Sequence, residues 1–393
     1  MFKHLAAAQP DPILSLSVAF REDMREEKVD LGIGVYRNDQ GITPVMQAVQ
    51  QAQQRVMDNE TTKGYVGLAG NEQFNQAMMD LLLSGTSAHA RAAAVQTPGA
   101  SGALRMLADL MYIAQPETTV WITNPSYVNH KPVMEAAGLK VCYYPYFNPV
   151  TKQVDSEAML AELAKAGPKD VVLLHGCCHN PTGADITFED WQTITAMANK
   201  QGFMPFVDIA YQGFGDGLEQ DAAGLRYMAD NVEEMIVATS CSKNFGLYRE
   251  RTGAAMVISD TLTNAQKAKG RILNLARSTY TMPPDHGAAL VATILGDDAL
   301  TQTWKQELSA MNQRLLGLRT GLVQAVQKQG STQFDFIQQH KGMFSVTGLS
   351  PEQIGRLRDE FAIYAVGDGR INIAGLQEQQ LDYLANALLS VSK

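Results

Sequence analysis

Residues 235–246 read MIVATSCSKNFG, a short apolar run that changes at once into small polar residues around one lysine. Further apolar runs occupy 119–123, 141–146, 171–174, 203–207 and 254–258. Short apolar runs separated by helical stretches are typical of a parallel sheet with helices on both faces. Polar residues follow the ends of these runs, where open α/β sheets bind their ligands. The sequence therefore predicts an α/β fold with a functional site at the carboxyl edge of the sheet.

The length and the net charge of the chain limit the number of domains and the kinds of partner to be expected. The chain has 393 residues, and 32 Lys and Arg against 41 Asp and Glu leave a formal charge of −9. At about 150 residues per domain this allows two or three domains, or one large one. A chain of this size can bury a deep core without disulfides or a structural metal. The acidic balance argues against a general nucleic-acid binder, although a few arginines can still bind small anions.

The sequence indicates a cytoplasmic enzyme. The first residues, MFKHLAAAQPDP, contain no basic run followed by a long apolar core, so we expect no signal peptide. No stretch approaches the roughly 18 apolar residues of a membrane helix. Cys142, Cys177, Cys178 and Cys241 form no C-x-x-C pair, and we expect them to be free thiols in a reducing compartment.

A second, smaller domain is indicated after the sheet. Over residues 301–329 apolar side chains recur at three- and four-residue steps, which predicts a long amphipathic helix leading into it. Beyond this helix, 342–346 and 371–373 resemble strands. Ser350 and Pro351 are typical of a helix start, with Ser350 as N-cap and Pro351 in the first turn.

The stretch TPGASGALR at 97–105 runs small residues directly into a predicted helix. Free N–H groups and the helix dipole make such a start suitable for a phosphate group. Taken alone, a tight turn is the simpler interpretation, because neither a Walker motif nor G-x-G-x-x-G is present.

Two strand-end residues could carry chemistry. Lys243 is suited to a carbonyl cofactor or substrate, since a Schiff base needs a neutral amine that partial burial or a nearby cation can supply. A lone loop lysine is, however, usually solvated. Asp208 closes an apolar run and is costly to bury unless it is paired with a cation, such as a protonated pyridine nitrogen. Its alternative role is an N-cap for the next helix.

The stretch HGCCHNPTG at 175–183 places two His and two Cys within five residues, which invites a zinc hypothesis. We disfavour it, because such zinc sites use spaced pairs and adjacent cysteines cannot easily point at one ion. The stretch is better interpreted as a tight loop that presents the Asn180 amide. Arg251, Arg277 and Arg370 could bind carboxylate or phosphate, or form surface ion pairs.

In combination these features resemble the pyridoxal-phosphate enzymes of fold type I, in the subgroup of aspartate and aromatic-amino-acid aminotransferases. The resemblance is carried by residues 11–14, 31–36, 175–183, 208–214, 242–248 and 369–375. It implies a large cofactor-binding domain (45–309) with a mostly parallel seven-stranded sheet between helices. It also implies a smaller α+β domain built from both chain ends (11–44 and 310–393) and an N-terminal arm (1–10).

The resemblance implies a role for each cofactor residue. Lys243 would bind pyridoxal phosphate as a Schiff base and move the proton at the substrate Cα. Asp208, with His175 as its partner, would keep the pyridine nitrogen protonated, while Asn180 and Tyr211 would bind the ring oxygen. The catalytic set is Lys243, Asp208, Tyr211 and Tyr127. The cofactor-binding set is Lys243, Gly99, Ala100, Ser101, Tyr127, Asn180, Asp208, Tyr211, Ser240, Ser242, Arg251 and Tyr65, the last from the neighbouring subunit.

The substrate set implied by the resemblance is Gly34, Tyr127, Asn180, Arg277 and Arg370. Arg370 would bind the α-carboxylate, and Arg277 would reach across a homodimer to the distal carboxylate. This implies a ping-pong transfer from aspartate to 2-oxoglutarate, with no metal, nucleic acid or membrane involved. The alternative is an aromatic-amino-acid aminotransferase with 2-oxoglutarate as acceptor.

Specificity markers in the chain are mixed. Tyr127 stands where the family usually has a tryptophan, and a phenol stacks with less area and no indole N–H. Met282 replaces an asparagine common in aspartate-preferring members, and Ser101 replaces their threonine, whereas Val35 resembles the aspartate side.

Other classes fit the sequence less well. A carbon–sulfur lyase or decarboxylase would not need both Arg277 and Arg370. A regulatory cofactor-binding module would add a DNA-binding segment with a basic face. A nicotinamide dehydrogenase is disfavoured because Gly32-Ile33-Gly34 lacks the third glycine and the following helix.

Overall fold

The computed structural model describes residues 2–7 and 11–393. Its helices are α1 (Pro12–Glu22), α2 (Gln47–Asn59), α3 (Glu72–Leu83), α4 (Gly99–Ala114), α5 (His130–Ala136), α6 (Ser156–Leu163), α7 (Phe188–Gln201), α8 (Leu218–Asn231), α9 (Leu262–Thr279), α10 (His286–Leu295), α11 (Asp298–Lys328), α12 (Pro351–Phe361) and α13 (Leu381–Val391). Its strands are β1 (Val29–Asp30), β2 (Ala92–Pro98), β3 (Thr119–Asn124), β4 (Lys140–Pro145), β5 (Asp170–His175), β6 (Met204–Ile209), β7 (Met235–Ser240), β8 (Thr252–Ile258), β9 (Phe344–Val346), β10 (Ile363–Tyr364) and β11 (Arg370–Asn372). Short 3₁₀ turns span Phe2–His4, Ser87–Arg91, Asp335–Gln339, Ile373–Gly375 and Glu378–Gln380.

Seven strands form the central sheet, in the order β2-β8-β7-β6-β5-β3-β4. All neighbours are parallel except β8, which runs antiparallel to both β2 and β7. This confirms the predicted α/β fold with a mostly parallel seven-stranded sheet.

The strand register brings the predicted site residues to one edge of the sheet. His175 and Asp208 are opposite each other at the carboxyl ends of β5 and β6. Ser240 ends β7 and pairs with Gly253 of β8. Because β8 is antiparallel to both of its neighbours, the carboxyl end of β2 also lies at this edge, where Pro98 pairs with Thr252. Helix α4 therefore begins beside the lysine loop.

Three buried apolar clusters form the core. Two of them cover the faces of the central sheet, and the third lies apart from it. The third cluster joins Leu31, near the start of the chain, to side chains of α11, α12 and α13. This cluster contains residues from both ends of the chain, the two segments from which the small domain is predicted to form. The boundaries 11–44, 45–309 and 310–393 remain predictions, and residues 1 and 8–10 of the proposed arm lie outside the described residues.

Helix α11 connects the two parts of the molecule. It has 31 residues, and at about 1.5 Å per residue it is about 46 Å long. Trp304 and Leu308 pack in the sheet-side cluster, whereas Leu318 and Leu322 pack in the small-domain cluster. The structure therefore confirms the predicted long amphipathic helix, and the apolar face of this helix packs in two separate hydrophobic clusters.

Two helix starts are capped in different ways, one by a neighbouring side chain and one by a side chain distant in sequence. Ser350 and Gln353 form a reciprocal capping box at the start of α12, with Pro351 in the first turn, as predicted. Helix α2 has Met46 at its N-cap, which offers no side-chain acceptor. The Glu307 carboxylate of α11 accepts the N–H groups of Gln47 and Ala48 instead, at 2.6 and 2.9 Å.

Within residues 2–7 and 11–393, no helix combines the length and the apolar character needed to cross a bilayer.

Candidate active site

A cavity opens at the carboxyl edge of the sheet. It is lined by Gly34, Ala100, Ser101, Tyr127, His175, Cys177, Asn180, Asp208, Ala210, Tyr211, Ser240, Ser242, Lys243, Tyr248 and Arg251. The fold thus brings together most of the predicted site residues, which come from segments far apart in the chain.

Lys243 lies half-buried just after β7. Its Nζ is 4.6 Å from the centroid of the Tyr211 ring. Burial lowers the pKa of Lys243 to about 8; Asp208 opposes this shift and Arg251 adds to it. A substantial fraction of the amine is therefore neutral near pH 7–8, which is the form that can attack a carbonyl carbon.

Asp208 is hydrogen-bonded to His130, a histidine that no sequence pattern singled out. His130 Nε2 is 2.8 Å from Asp208 Oδ2, and His130 Nδ1 is 2.9 Å from the Ser126 hydroxyl. An ionised carboxylate only accepts hydrogen bonds, so Nε2 donates to it. Burial alone would raise the pKa of Asp208, but the hydrogen bond from His130 and the neighbouring charges hold it below its usual range. The carboxylate therefore stays ionised although it is buried.

The expectation that His175 partners Asp208 is wrong. His175 faces Asp208 across the strand pair, but its Nε2 has no hydrogen-bond partner among the described residues. Burial, and the neighbouring His130, lower the pKa of His175 to about 3, so the ring is neutral. His130 reaches Asp208 because it follows β3, which adjoins β5 in the sheet. The sequence signal that could have identified it is a polar segment after the apolar run 119–123.

The other end of the cavity suits an anion. Helix α4 begins at Gly99, which has φ +69°, and Ala100 and Ser101 line the cavity in its first turn. A Cβ at Gly99 would lie 2.5 Å from the Arg251 guanidinium, so a larger residue would displace that side chain. Free N–H groups at a helix start beside a guanidinium form a favourable phosphate site. Ser240 also contributes its hydroxyl, which accepts the Ser242 N–H at 3.1 Å.

These residues fit pyridoxal phosphate. Asp208 Oδ1 is buried and has no hydrogen-bond partner in the described part of the chain, so one acceptor remains for a ring N–H. Burial raises the pKa of both Tyr127 and Tyr211, which keeps both hydroxyls protonated as hydrogen-bond donors. Lys243 supplies the amine, and the α4 start with Arg251 supplies the phosphate cradle.

Arg370 lies beside Asn180, outside the lining of the cavity. It is 4% exposed, and its Nη atoms donate to the Gly32 carbonyl at 3.1 Å and to Asn180 Oδ1 at 3.4 Å. Its Cζ lies 4.6 Å from the centroid of the Phe344 ring. Gly34 passes so close to this ring that a Cβ there would lie 2.9 Å from it. A buried guanidinium with this support is pre-positioned for a carboxylate.

Two predicted residues lie away from this cavity. Tyr65 is 90% exposed, and Arg277 is exposed near the end of α9. Neither lines the cavity of its own chain. Their proposed crossing into a partner's site remains a prediction.

The adjacent residues Cys177 and Cys178 do not match the expectation that neighbouring cysteines cannot easily point at one ion. The thiols of Cys177 and Cys178 and a carboxylate oxygen of Asp221 all lie within 4.8 Å of one another, so adjacent cysteines can point at one place here. The Asp221 carboxylate is already engaged, because it accepts N–H groups from Gly213, Gly215 and Asp216. Burial raises the pKa of Cys178 to about 12, which keeps this thiol protonated.

Comparisons with known proteins agree with this geometry. The profile of the family described as aminotransferase class I and II matches residues 26–388. An aromatic-amino-acid aminotransferase from Paracoccus denitrificans is 45% identical over 392 residues, covering 100% of both chains. An aspartate aminotransferase from Escherichia coli (strain K12) is also 45% identical, over 395 residues and 100% of both chains. The solved structure of a Burkholderia pseudomallei aromatic-amino-acid aminotransferase covalently bound to pyridoxal phosphate superposes with a TM-score of 0.97, at 38% identity and 100% coverage of both chains.

Proposed function

Since this chain belongs to the class I and II aminotransferases, we propose that it transfers the amino group of L-aspartate to 2-oxoglutarate with pyridoxal phosphate as cofactor. The products are oxaloacetate and L-glutamate, released in two half-reactions of a ping-pong cycle. The observation that carries the proposal is the buried Arg370, which is held by Gly32 and Asn180 next to the cavity that contains Lys243.

When bound, pyridoxal phosphate supplies an electron-withdrawing ring that stabilises negative charge at the substrate Cα. The chain's own residues do the rest. Asp208, ionised and oriented by His130, accepts a hydrogen bond from the ring nitrogen. Lys243 holds the cofactor and then, as a neutral amine, takes and returns the Cα proton. The α4 start and Arg251 bind the phosphate group and fix the ring in place.

The substrate is oriented by its carboxylates. Arg370 binds the α-carboxylate by a two-point contact, which aligns the Cα–H bond with Lys243. Burial lowers the pKa of Arg370, but the guanidinium remains charged at neutral pH. In our proposal Arg277 binds the distal carboxylate, which distinguishes aspartate and glutamate from neutral amino acids.

We propose that the active enzyme is a cytoplasmic homodimer in which Tyr65 and Arg277 enter the partner's site. The exposure of Tyr65 supports this, because a tyrosine that is 90% exposed has no packing role in a single chain. Residues 59–67 around it are exposed in the single chain. All four cysteines are free, which agrees with a reducing compartment.

The second candidate function is an aromatic-amino-acid aminotransferase. Met282 favours it, because by the family resemblance this flexible apolar side chain, which is partly exposed, replaces an asparagine common in aspartate-preferring members. A Paracoccus denitrificans relative that is 45% identical carries this activity in its name.

The test is an absorption spectrum of the purified protein before and after addition of aspartate or phenylalanine. We expect a visible band from the lysine-bound cofactor that amino acid removes, with the faster amino acid identifying the preferred substrate. Lys243→Ala should lose the reaction, whereas Lys267→Ala, an exposed lysine on α9, should retain it. Absence of the band in the wild type after added pyridoxal phosphate would overturn the proposal.

A further inference from the structure

Arg319 on α11 is a buried cation that the proposed chemistry does not use. It is 1% exposed, and within the described chain no carboxylate is close enough to form a salt bridge with it, although Asp185 acts on it from a greater distance. Burial lowers its pKa to about 10, so it is charged at neutral pH. A buried charge without a counter-ion is costly unless hydrogen bonds satisfy it. Its contacts should therefore show what it stabilises.

The Arg319 guanidinium binds one segment of the chain, residues 337–345, mainly through its backbone carbonyls. Nη1 donates to the carbonyl of Ile337 at 3.1 Å and to the Ser345 hydroxyl at 2.7 Å. Nη2 donates to the carbonyls of Gly342 at 2.7 Å, Phe344 at 2.8 Å and Lys341 at 3.3 Å. Five acceptors on one planar group hold this segment in a single conformation.

This segment supports the substrate-carboxylate site from two sides. The Phe344 ring packs against the Arg370 guanidinium and closely against Gly34. The Lys341 N–H donates to the carbonyl of Gly183 at 2.7 Å, three residues after Asn180 in the same loop. One arginine therefore supports both Arg370 and the loop that presents Asn180.

We propose that Arg319 is a positioning residue for substrate-carboxylate binding, acting through Phe344 on Arg370 and through Lys341 on the Asn180 loop. This inference rests on the proposed role of Arg370. Loss of the Arg319 hydrogen bonds would let Phe344 and Arg370 adopt other positions. Carboxylate affinity would then fall while the cofactor contacts of Lys243 and Asp208 are kept.

The test measures binding of succinate, a non-reactive dicarboxylate, to the holoenzyme by calorimetry. We expect Arg319→Lys to raise the succinate dissociation constant about tenfold, because a compact ammonium replaces only part of the planar fork. The cofactor absorption band should be unchanged, and KM for aspartate should rise more than kcat falls. Phe344→Leu, which leaves the Arg319 contacts in place, should raise the dissociation constant as well.

The matched control is Arg91→Lys. Like Arg319, Arg91 donates to several backbone carbonyls, those of Ala229, Val232, Glu233 and Ser259, but it lies at the opposite edge of the sheet. It should leave succinate binding unchanged.

Introducing Arg319→Lys into a variant that already carries Arg370→Lys distinguishes a positioning role of Arg319 from a general loss of structural order. Because one of the two proposed routes ends at Arg370, adding Arg319→Lys to that background should raise the dissociation constant clearly less than the about tenfold expected without it, since coupled residues are non-additive. An equal loss in both backgrounds, or unchanged binding in Arg319→Lys alone, would overturn the inference. A wild type that fails to bind succinate would instead refute the proposed carboxylate site, and the inference with it. If Arg319→Lys does not fold, Ser345→Ala, which removes one of the five Arg319 acceptors, replaces it in both backgrounds, and unchanged succinate binding would then overturn the inference.

Discussion

His130 Nε2 and Asp208 Oδ2 lie 2.8 Å apart, and the His130 ring is completely buried. Asp208 lines the cavity, and its other carboxylate oxygen, Oδ1, has no hydrogen-bond partner among the described residues. The histidine therefore orients the carboxylate and helps to keep it ionised, which is the state that can accept a hydrogen bond from a ring nitrogen.

Replacing His130 should weaken the Asp208–cofactor contact. Loss of a hydrogen bond to a charged group costs about 1.5–3 kcal/mol, so His130→Ala should lower kcat/KM about 10- to 100-fold. His175→Ala is the comparison, because His175 has no hydrogen bond to Asp208 and its loss should cost less. Steady-state kinetics with aspartate measure both variants, and a larger loss at His175 would contradict the assigned roles.

Attachment of the cofactor should depend on pH through Lys243. Burial lowers its pKa from 10.5 to about 8, so the neutral amine becomes the main form above pH 8 rather than above pH 10. The rate at which apoprotein forms the visible band with pyridoxal phosphate should rise from pH 6 to about pH 9, with its midpoint near pH 8, and then level off. A stopped-flow series across this range gives the midpoint. A rise that continues to pH 10 would mean that the lysine titrates as an ordinary exposed amine.

Hybrid dimers test whether Arg277 crosses between subunits. Arg277→Ala and Lys243→Ala chains should each be poorly active with aspartate. Random mixing should restore about a quarter of wild-type activity, because half of the dimers are hybrids and each holds one complete site. The mixture is assayed after co-refolding or co-expression. Activity no higher than that of the parent variants would place Arg277 and Lys243 in sites of the same chain.

Gly99 should be intolerant of a side chain at the phosphate end of the cavity. Its φ of +69° costs an L-residue about 1–2 kcal/mol. A Cβ would in addition displace Arg251, so Gly99→Ala should weaken pyridoxal-phosphate binding about tenfold or more through the lost charged contact. Gly85→Ala has a similar φ of +77° and open space around it, so it should lower the melting temperature without affecting cofactor affinity. Equal cofactor affinity in the two variants would exclude the proposed clash.

Many of the structural elements were predictable from local patterns. The apolar runs at 171–174, 203–207 and 235–238 became β5, β6 and β7, since a short apolar segment between turns is stable as a buried strand. The periodicity over 301–329 became α11, and the Ser350–Pro351 pair starts α12 through side-chain capping. These features depend on residues close together in sequence.

Strand β2 was not predicted, because its sequence AAAVQTP is rich in alanine and poor in the β-branched and aromatic residues that favour strands. It is a strand because all seven residues pair with β8 in a buried sheet. The antiparallel direction of β8 was also not evident from the sequence. This direction is what brings the α4 start to the same edge as Lys243.

The sequence by itself determined which chemical groups are available at strand ends, because Asp208 closes an apolar run and Lys243 and Asn180 lie in the loops that follow such runs. Only the tertiary structure decided which of these groups meet. His130 rather than His175 binds Asp208, although 78 residues separate them, and Arg319 turns inward to hold the segment beside Arg370. The physical reason is that such contacts depend on strand register and on how helices pack over the sheet, and these arise from interactions between distant residues that a local pattern does not contain.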